Sequence, residues 1–141
     1  DAIERHQLAL LNTVIKKAKE SERAYTCLKM AWIYRGKAES LPEDTPDRKE
    51  QIQELQNQEK ELLENAYTGF EAAFSKESFP MCGMDEITVS YLLAELARRI
   101  GRYEESSRWI SRVLISREAN ERIKNRAREI KELLNKDMNR A

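Results

Sequence analysis

Apolar positions recur with a helical period along almost the whole chain, and the interruptions divide it into six segments. The spacing predicts a first helix from about Ile3 to Lys19, with Leu10, Leu11, Val14 and Ala18 facing inward. Ser21 is placed to cap a second helix, and Glu22 lies in its first turn, where an acid is favourable. That helix carries Tyr25, Leu28, Trp32 and Ile33 and is expected to stop near Gly36. The stretch from Glu39 to Pro46 reads as a loop, because two prolines and clustered polar residues break the period. Thr45 and Pro46 then supply a cap and a first-turn proline for a long third helix from about Asp47 to Lys76. Ile52, Leu55, Leu62, Ala66, Phe70 and Ala73 keep one of its faces apolar, and its Gln-, Glu- and Lys-rich first half is expected to be solvated on most sides. After a break at Ser78 to Met84, Asp85 is placed to cap a fourth helix ending at Gly101. A fifth follows from about Tyr103 to Ser116 and a sixth from about Asn120 to Met138. No segment alternates with β-branched enrichment, so no sheet is expected and the class is all-α.

The same positions repeat. Leu93, Ala94, Ala97 and Gly101, followed by Tyr103, Ser106, Ile110 and Val113, have the spacing of the two helices of a tetratricopeptide (TPR) unit, with Ser106 where Ala is usual. Tyr25, Leu28, Trp32 and Gly36 match the first helix of another unit. Ala66, Phe70 and Ala73 match its second, after an insertion of about 25 residues. Small residues let antiparallel helices approach closely, while Leu and aromatic side chains fill the space between successive pairs. The expectation is therefore one domain over residues 1–141, a TPR-like stack of helical hairpins with flanking helices. The last helix, with Ile123, Ala127, Ile130 and Leu134 on one side, would close the stack. Trp32, Phe70, Tyr103 and Trp109 are the expected scaffold aromatics.

Several blocks together carry a resemblance: Leu8-Ala-Leu-Leu11, Ala31-Trp-Ile-Tyr-Arg35, Gly83-Met-Asp-Glu86 and Tyr91-Leu-Leu-Ala-Glu-Leu-Ala-Arg-Arg-Ile-Gly101. They resemble the C-terminal, TPR-like helical region of a bacterial family found largely in Firmicutes, domain of unknown function 2225. The resemblance covers nearly all of the chain. It implies a Cys-rich, zinc-ribbon-like segment upstream in the full protein, and it implies no activity. The opening Asp1-Ala2-Ile3, already inside an amphipathic pattern, fits the expectation of a fragment of something longer.

Composition narrows the function classes. Of 141 residues, 35% are charged and 40% apolar, with four Gly and three Pro, which favours helices over loop-rich or low-complexity chains. No apolar run approaches the ~20 residues of a membrane helix. Lys plus Arg equals Asp plus Glu at 25 each, so no global field selects nucleic acid or lipid. The charge is nonetheless zoned: residues 98–141 hold 13 bases against 7 acids, and residues 39–64 hold 9 acids against 3 bases. Two Cys make no disulfide framework, and a reducing, cytoplasmic setting is the simpler expectation.

Candidate chemistry is thin. Met81, Cys82 and Met84 are soft ligands, but the chain supplies no motif for the further donors a copper site needs, and the segment reads as a packed connector. Cys27 reads as a small core residue, and His6 has no partner that would make it a base or ligand. No nucleophile with a base, carboxylate pair or phosphate loop is visible, so no catalytic, metal or cofactor residue is assigned. The expected role is a protein–protein interaction module. By position in a TPR unit, the groove candidates are Arg23, Thr26, Met30, Ile33 and Tyr34 in the first unit and Thr88, Tyr91, Glu95, Arg98 and Arg99 in the second; Met30, Tyr34, Tyr91, Glu95, Arg98 and Arg99 would line it, with Arg98 and Arg99 pairing with acidic groups of a peptide. The Lys and Asn with which some TPR proteins grip a terminal carboxylate are replaced by Thr26, Tyr91, Met30 and Glu95. Against the groove stands a plain solvated pair between Glu95 and Arg99, four residues apart. The alternatives are a nucleic-acid-associated module using the basic C-terminal helices, and a homodimer formed through the long third helix.

Overall fold

The computed structural model describes residues 2–15 and 19–140, with the backbone path alone for 11–15. Its six helices are α1 (Ala2–Ile15), α2 (Glu20–Glu39), α3 (Arg48–Lys76), α4 (Glu86–Arg99), α5 (Tyr103–Ile115) and α6 (Glu121–Arg140). The protein is all-α, as the periodicity predicts, and α1 packs on α2, α4 on α5 and α5 on α6. The chain separates into two units, Asp1–Gly69 and Phe70–Ala141, and the boundary falls within α3.

In the first unit α1 packs on α2. Leu10 is half-buried, while Leu11, Val14 and Ala18 lie outside the residues whose side chains are described. α2 and the first part of α3 run antiparallel: Arg35 meets Glu59 near the loop, and Ala24 meets Gly69 at the far end. Gly69 is what allows that approach, since a Cβ there would stand 2.9 Å from the Ala24 Cβ. Ala24, Leu28, Ala31, Ala66 and Tyr67 are the buried centre.

Four sequence expectations for this unit need correction. Ser21 does not cap α2: Lys19 holds the cap position without a side-chain bond, and Ser21 is buried inside the first turn. Gly36 does not end the helix, which runs on to Glu39, with the Ser40 N–H donating to the Gly36 carbonyl. Nothing lies within 4 Å of where a Gly36 Cβ would be, so neither a close contact nor a left-handed turn calls for glycine there. Thr45 and Pro46 both precede α3, which starts only after Asp47 at φ 53°, and the Gln51 side chain donates back to the Pro46 carbonyl at 2.8 Å. Trp32, expected in the scaffold, is 48% exposed. Tyr67, not singled out from the sequence, is fully buried in its place. The polar first half of α3 is solvated, as its composition predicts, and is stitched along its surface by Gln53–Asn57 and Gln58–Glu54 bonds.

The second unit is closer to its expected form. The Asp85 carboxylate accepts the Thr88 N–H at 2.8 Å and caps α4. Gly101, at φ 85°, ends it: the Gly101 N–H donates to Arg98 and the Arg102 N–H to Ala97, the paired bonds of a Schellman motif. Asn120 caps α6 by accepting the Ile123 N–H at 2.9 Å. Ser106, the departure from the small-residue pattern, is fully buried, and its hydroxyl donates to the Ala94 carbonyl at 2.7 Å, tying α5 to α4. Ile87, Ala94, Ile110, Val113, Ala127, Ile130 and Leu134 form a continuous core, with Tyr91, Tyr103, Trp109 and Ile123 packed against it.

The connector before α4 is a two-residue reversal. Met81 and Met84 exchange backbone hydrogen bonds of 2.8 and 2.9 Å across Cys82 and Gly83, both at positive φ, as in a type I′ turn. Met81 is buried, and Phe79 meets Phe74 edge-on, which in turn meets Trp109. This pair of bonds is the one strand-like contact among the described residues.

Candidate functional site

Within the second unit, α4 and α6 run parallel on one side of α5. Thr88 near the start of α4 and Asn120 just before α6 line one cleft, and Arg98 meets Asp137 near the other ends of the two helices. Parallel helices joined by a third leave a furrow between them, and here it opens into a cleft of about 410 Å³. Thr88, Tyr91, Leu92 and Glu95 form its α4 wall; Asn120, Arg122, Ile123 and Arg126 form the α6 wall; Met84 closes one end. Helical spacing selects these residues. Positions 88, 91, 92 and 95 share one face of α4, and 122, 123 and 126 one face of α6.

The cleft pairs an apolar floor with a charged rim. Leu92, Tyr91, Met84 and Ile123 are half-buried, whereas Thr88, Arg122 and Arg126 are exposed. Burial pushes the Tyr91 phenol above its ordinary value, and the Glu95 carboxylate adds to that; Arg126 opposes it, Glu129 reinforces it and Arg99 opposes it. The phenol therefore stays protonated near neutrality and can donate a hydrogen bond into the cleft.

Of the groove residues expected from sequence, Thr88, Tyr91 and Glu95 line this cleft. Arg98 has a different place. It donates to Glu95 at 2.6 Å and to Asp137 at 2.8 Å, with its side chain only 13% exposed, so it fastens α4 to α6 and is not open to an incoming acid. Burial alone would weaken its hold on the proton, but the bonds to Asp137 and Glu95 outweigh that. Arg99 is exposed and donates to the same Glu95 oxygen at 2.8 Å, the four-apart pair anticipated as the plain alternative. Met30 is buried in the first unit at 5% exposure and so offers no surface, while Tyr34, in that unit, is half-buried.

The α6 wall was not foreseen, because that helix reads as a closing element whose inner stripe is Ile123, Ala127, Ile130 and Leu134. The stripe is there, with the last three buried. The signal for the second role was the Arg122/Arg126 pair one turn apart, flanking Ile123.

Other candidate chemistry is accounted for by packing. Cys27 is buried, which raises its thiol pKa, and it forms no disulfide with Cys82. Among the described residues no cluster of His, Cys, Asp and Glu is arranged to hold a metal ion. Among them, too, no helix is long and apolar enough to cross a membrane. No curated protein and no solved structure matches the chain. One family model does, over residues 1–134, a span that contains all the sequence blocks noted above. The chain thus belongs to the family described as uncharacterized protein conserved in bacteria (DUF2225).

Proposed function

We propose that this chain is a non-catalytic protein-binding module and that the α4/α6 cleft receives a segment of its partner. The observation that carries this reading is the cleft itself: about 410 Å³ of open space with an apolar floor and a rim of hydrogen-bonding groups. Its one carboxylate, Glu95, is engaged by two arginines, and its phenol is held protonated, which suits recognition better than proton transfer. Helical hairpins stacked in parallel offer such furrows to extended or helical segments. In this reading the setting is intracellular and no cofactor is needed.

The test is a substitution that fills the cleft and spares the fold. Thr88 is exposed and sits three residues after the Asp85 cap, where Gln is well tolerated. Thr88→Gln places a longer side chain in the cleft. Quantitative capture with the wild-type and T88Q chains should show partner recovery falling about tenfold or more, while loss of the Thr88 side-chain bond to Asp85 lowers stability by no more than about 1 kcal/mol. Equal recovery by the two would remove the cleft from the interaction.

A further inference from the structure

Most arginines around α4 and α5 already have a carboxylate. Arg98 and Arg99 bind Glu95, Arg98 also binds Asp137, Arg102 lies by Glu105, and Arg112 by Glu86. Arg122 and Arg126 differ. Both line the cleft, both are exposed, and among the described residues neither has an ion pair or side-chain hydrogen bond. They stand one helical turn apart on either side of Ile123, so two uncompensated guanidiniums flank the apolar floor. Across from them, Tyr91 presents its hydroxyl group, while that of Thr88 is bonded to Asp85.

Resting on the docking reading above, we infer that the occupant of the cleft is an acidic peptide segment carrying one apolar anchor. The anchor seats on Leu92, Met84 and Ile123, and carboxylates on either side meet Arg122 and Arg126. The dimensions suit a short core. The α4 wall from Thr88 to Glu95 spans two turns, about 11 Å, which an extended chain covers in about three residues. Guanidinium groups pair with carboxylates in a fixed planar geometry, so the two arginines set register as well as sign. A phosphate backbone matches less well. Glu95 sits in the same wall, the charge of Glu129 reaches Tyr91, and α6 alternates bases with Glu121, Glu129, Glu132 and Asp137, which would repel a continuous anionic strand.

The experiment uses the whole 141-residue chain and three fluorescein-labelled probes. The first is a peptide pool of about nine residues, with an acidic–leucine–acidic core and degenerate flanks. The second is the same pool with lysine at the acidic positions, and the third is an oligouridine of about twelve nucleotides. The acidic pool should bind, weaken as salt rises from about 50 to about 300 mM, and lose about tenfold or more in affinity to R122E/R126E. The lysine pool should gain affinity for that variant. Both positions are exposed and unpaired, so circular dichroism melts should superpose; if the double variant fails to fold, Arg126→Gln should give a smaller loss in the same direction. Equal or tighter binding of the lysine pool by the wild type would overturn the acidic assignment while leaving the docking reading in place. Binding of oligouridine without the acidic pool would overturn it in favour of nucleic acid. Retention of no probe would defeat both the assignment and the docking reading.

Discussion

The two units use similar amounts of helix and hold it in different ways. In Phe70–Ala141 every helix end that matters to the cleft is fixed by a specific bond: Asp85 and Asn120 cap α4 and α6, and Gly101 terminates α4. A continuous core then joins three helices, and the buried Ser106 hydroxyl pins α5 to α4. In Asp1–Gly69, α2 starts at Lys19 without a side-chain cap, and much of α3 projects polar faces into solvent. There the hairpin depends on a tight approach at Gly69 and an ion pair at Arg35–Glu59, 2.6 Å long and partly exposed. Both units have a buried apolar centre, but the second adds side-chain caps at its helix starts, where the first adds one close helix contact and a surface ion pair. A regular helical pattern in sequence therefore does not say how its helices are held.

Substitutions can sharpen that contrast, and the largest effect belongs to the second unit. Leu93 is fully buried, and Leu93→Ala should destabilise it by about 2–5 kcal/mol through lost burial and a cavity. Chemical denaturation monitored by circular dichroism measures this, and a loss below about 1 kcal/mol would mean the core is looser than described. Next is Gly69→Val. The new side chain must displace Ala24, so a cost of about 1–3 kcal/mol is expected in the first unit, read from the same denaturation. A neutral result would show that α2 and α3 can separate freely at that point.

Asp85→Ala should cost about 1 kcal/mol by removing the α4 cap. Its pH dependence has a definite sign. Bonds from the Thr88 side chain and then from its backbone N–H hold the Asp85 carboxyl below its ordinary 3.8. The capping contribution is thus complete above that pH and is lost as pH falls through the lower folded value. Wild type and D85A should accordingly converge in strong acid, which thermal melts across the acid range would reveal. The smallest effect is expected at Trp32→Ala. At 48% exposure the indole should be replaced within about 0.5 kcal/mol, and a larger loss would restore the scaffold role that its repeat position implied.

What the sequence revealed follows the same division. Asp85, Gly101 and Asn120 act through bonds to residues two to five positions away, so their residue types announce them. The six helices, and the apolar stripes of α3 to α6, were legible for the same local reason. Gly36 misled because glycine marks a helix end only where a left-handed residue is required, and tertiary packing carries α2 through it. Trp32 misled because an aromatic at a repeat position can face either way, and Tyr67 is buried without having been read as core. In the cleft, Tyr91 and Glu95 were legible from α4 alone. The engagement of Arg98 was not, since Asp137 lies 39 residues away and only folding brings it there. The α6 wall was hidden similarly: its helix has one face for the core and a second, narrower one for the furrow, and periodicity registers only the stronger.

The placement of the two thiols has a practical consequence. Cys27 lies at 7% exposure on α2, its thiolate disfavoured by burial, while Cys82 sits half-exposed in the reversal between Met81 and Met84. A thiol reagent should therefore modify Cys82 from the native state and reach Cys27 only when its surroundings open. With one thiol in each unit, the chain carries its own two-channel labelling clock for transient openings, without an engineered probe.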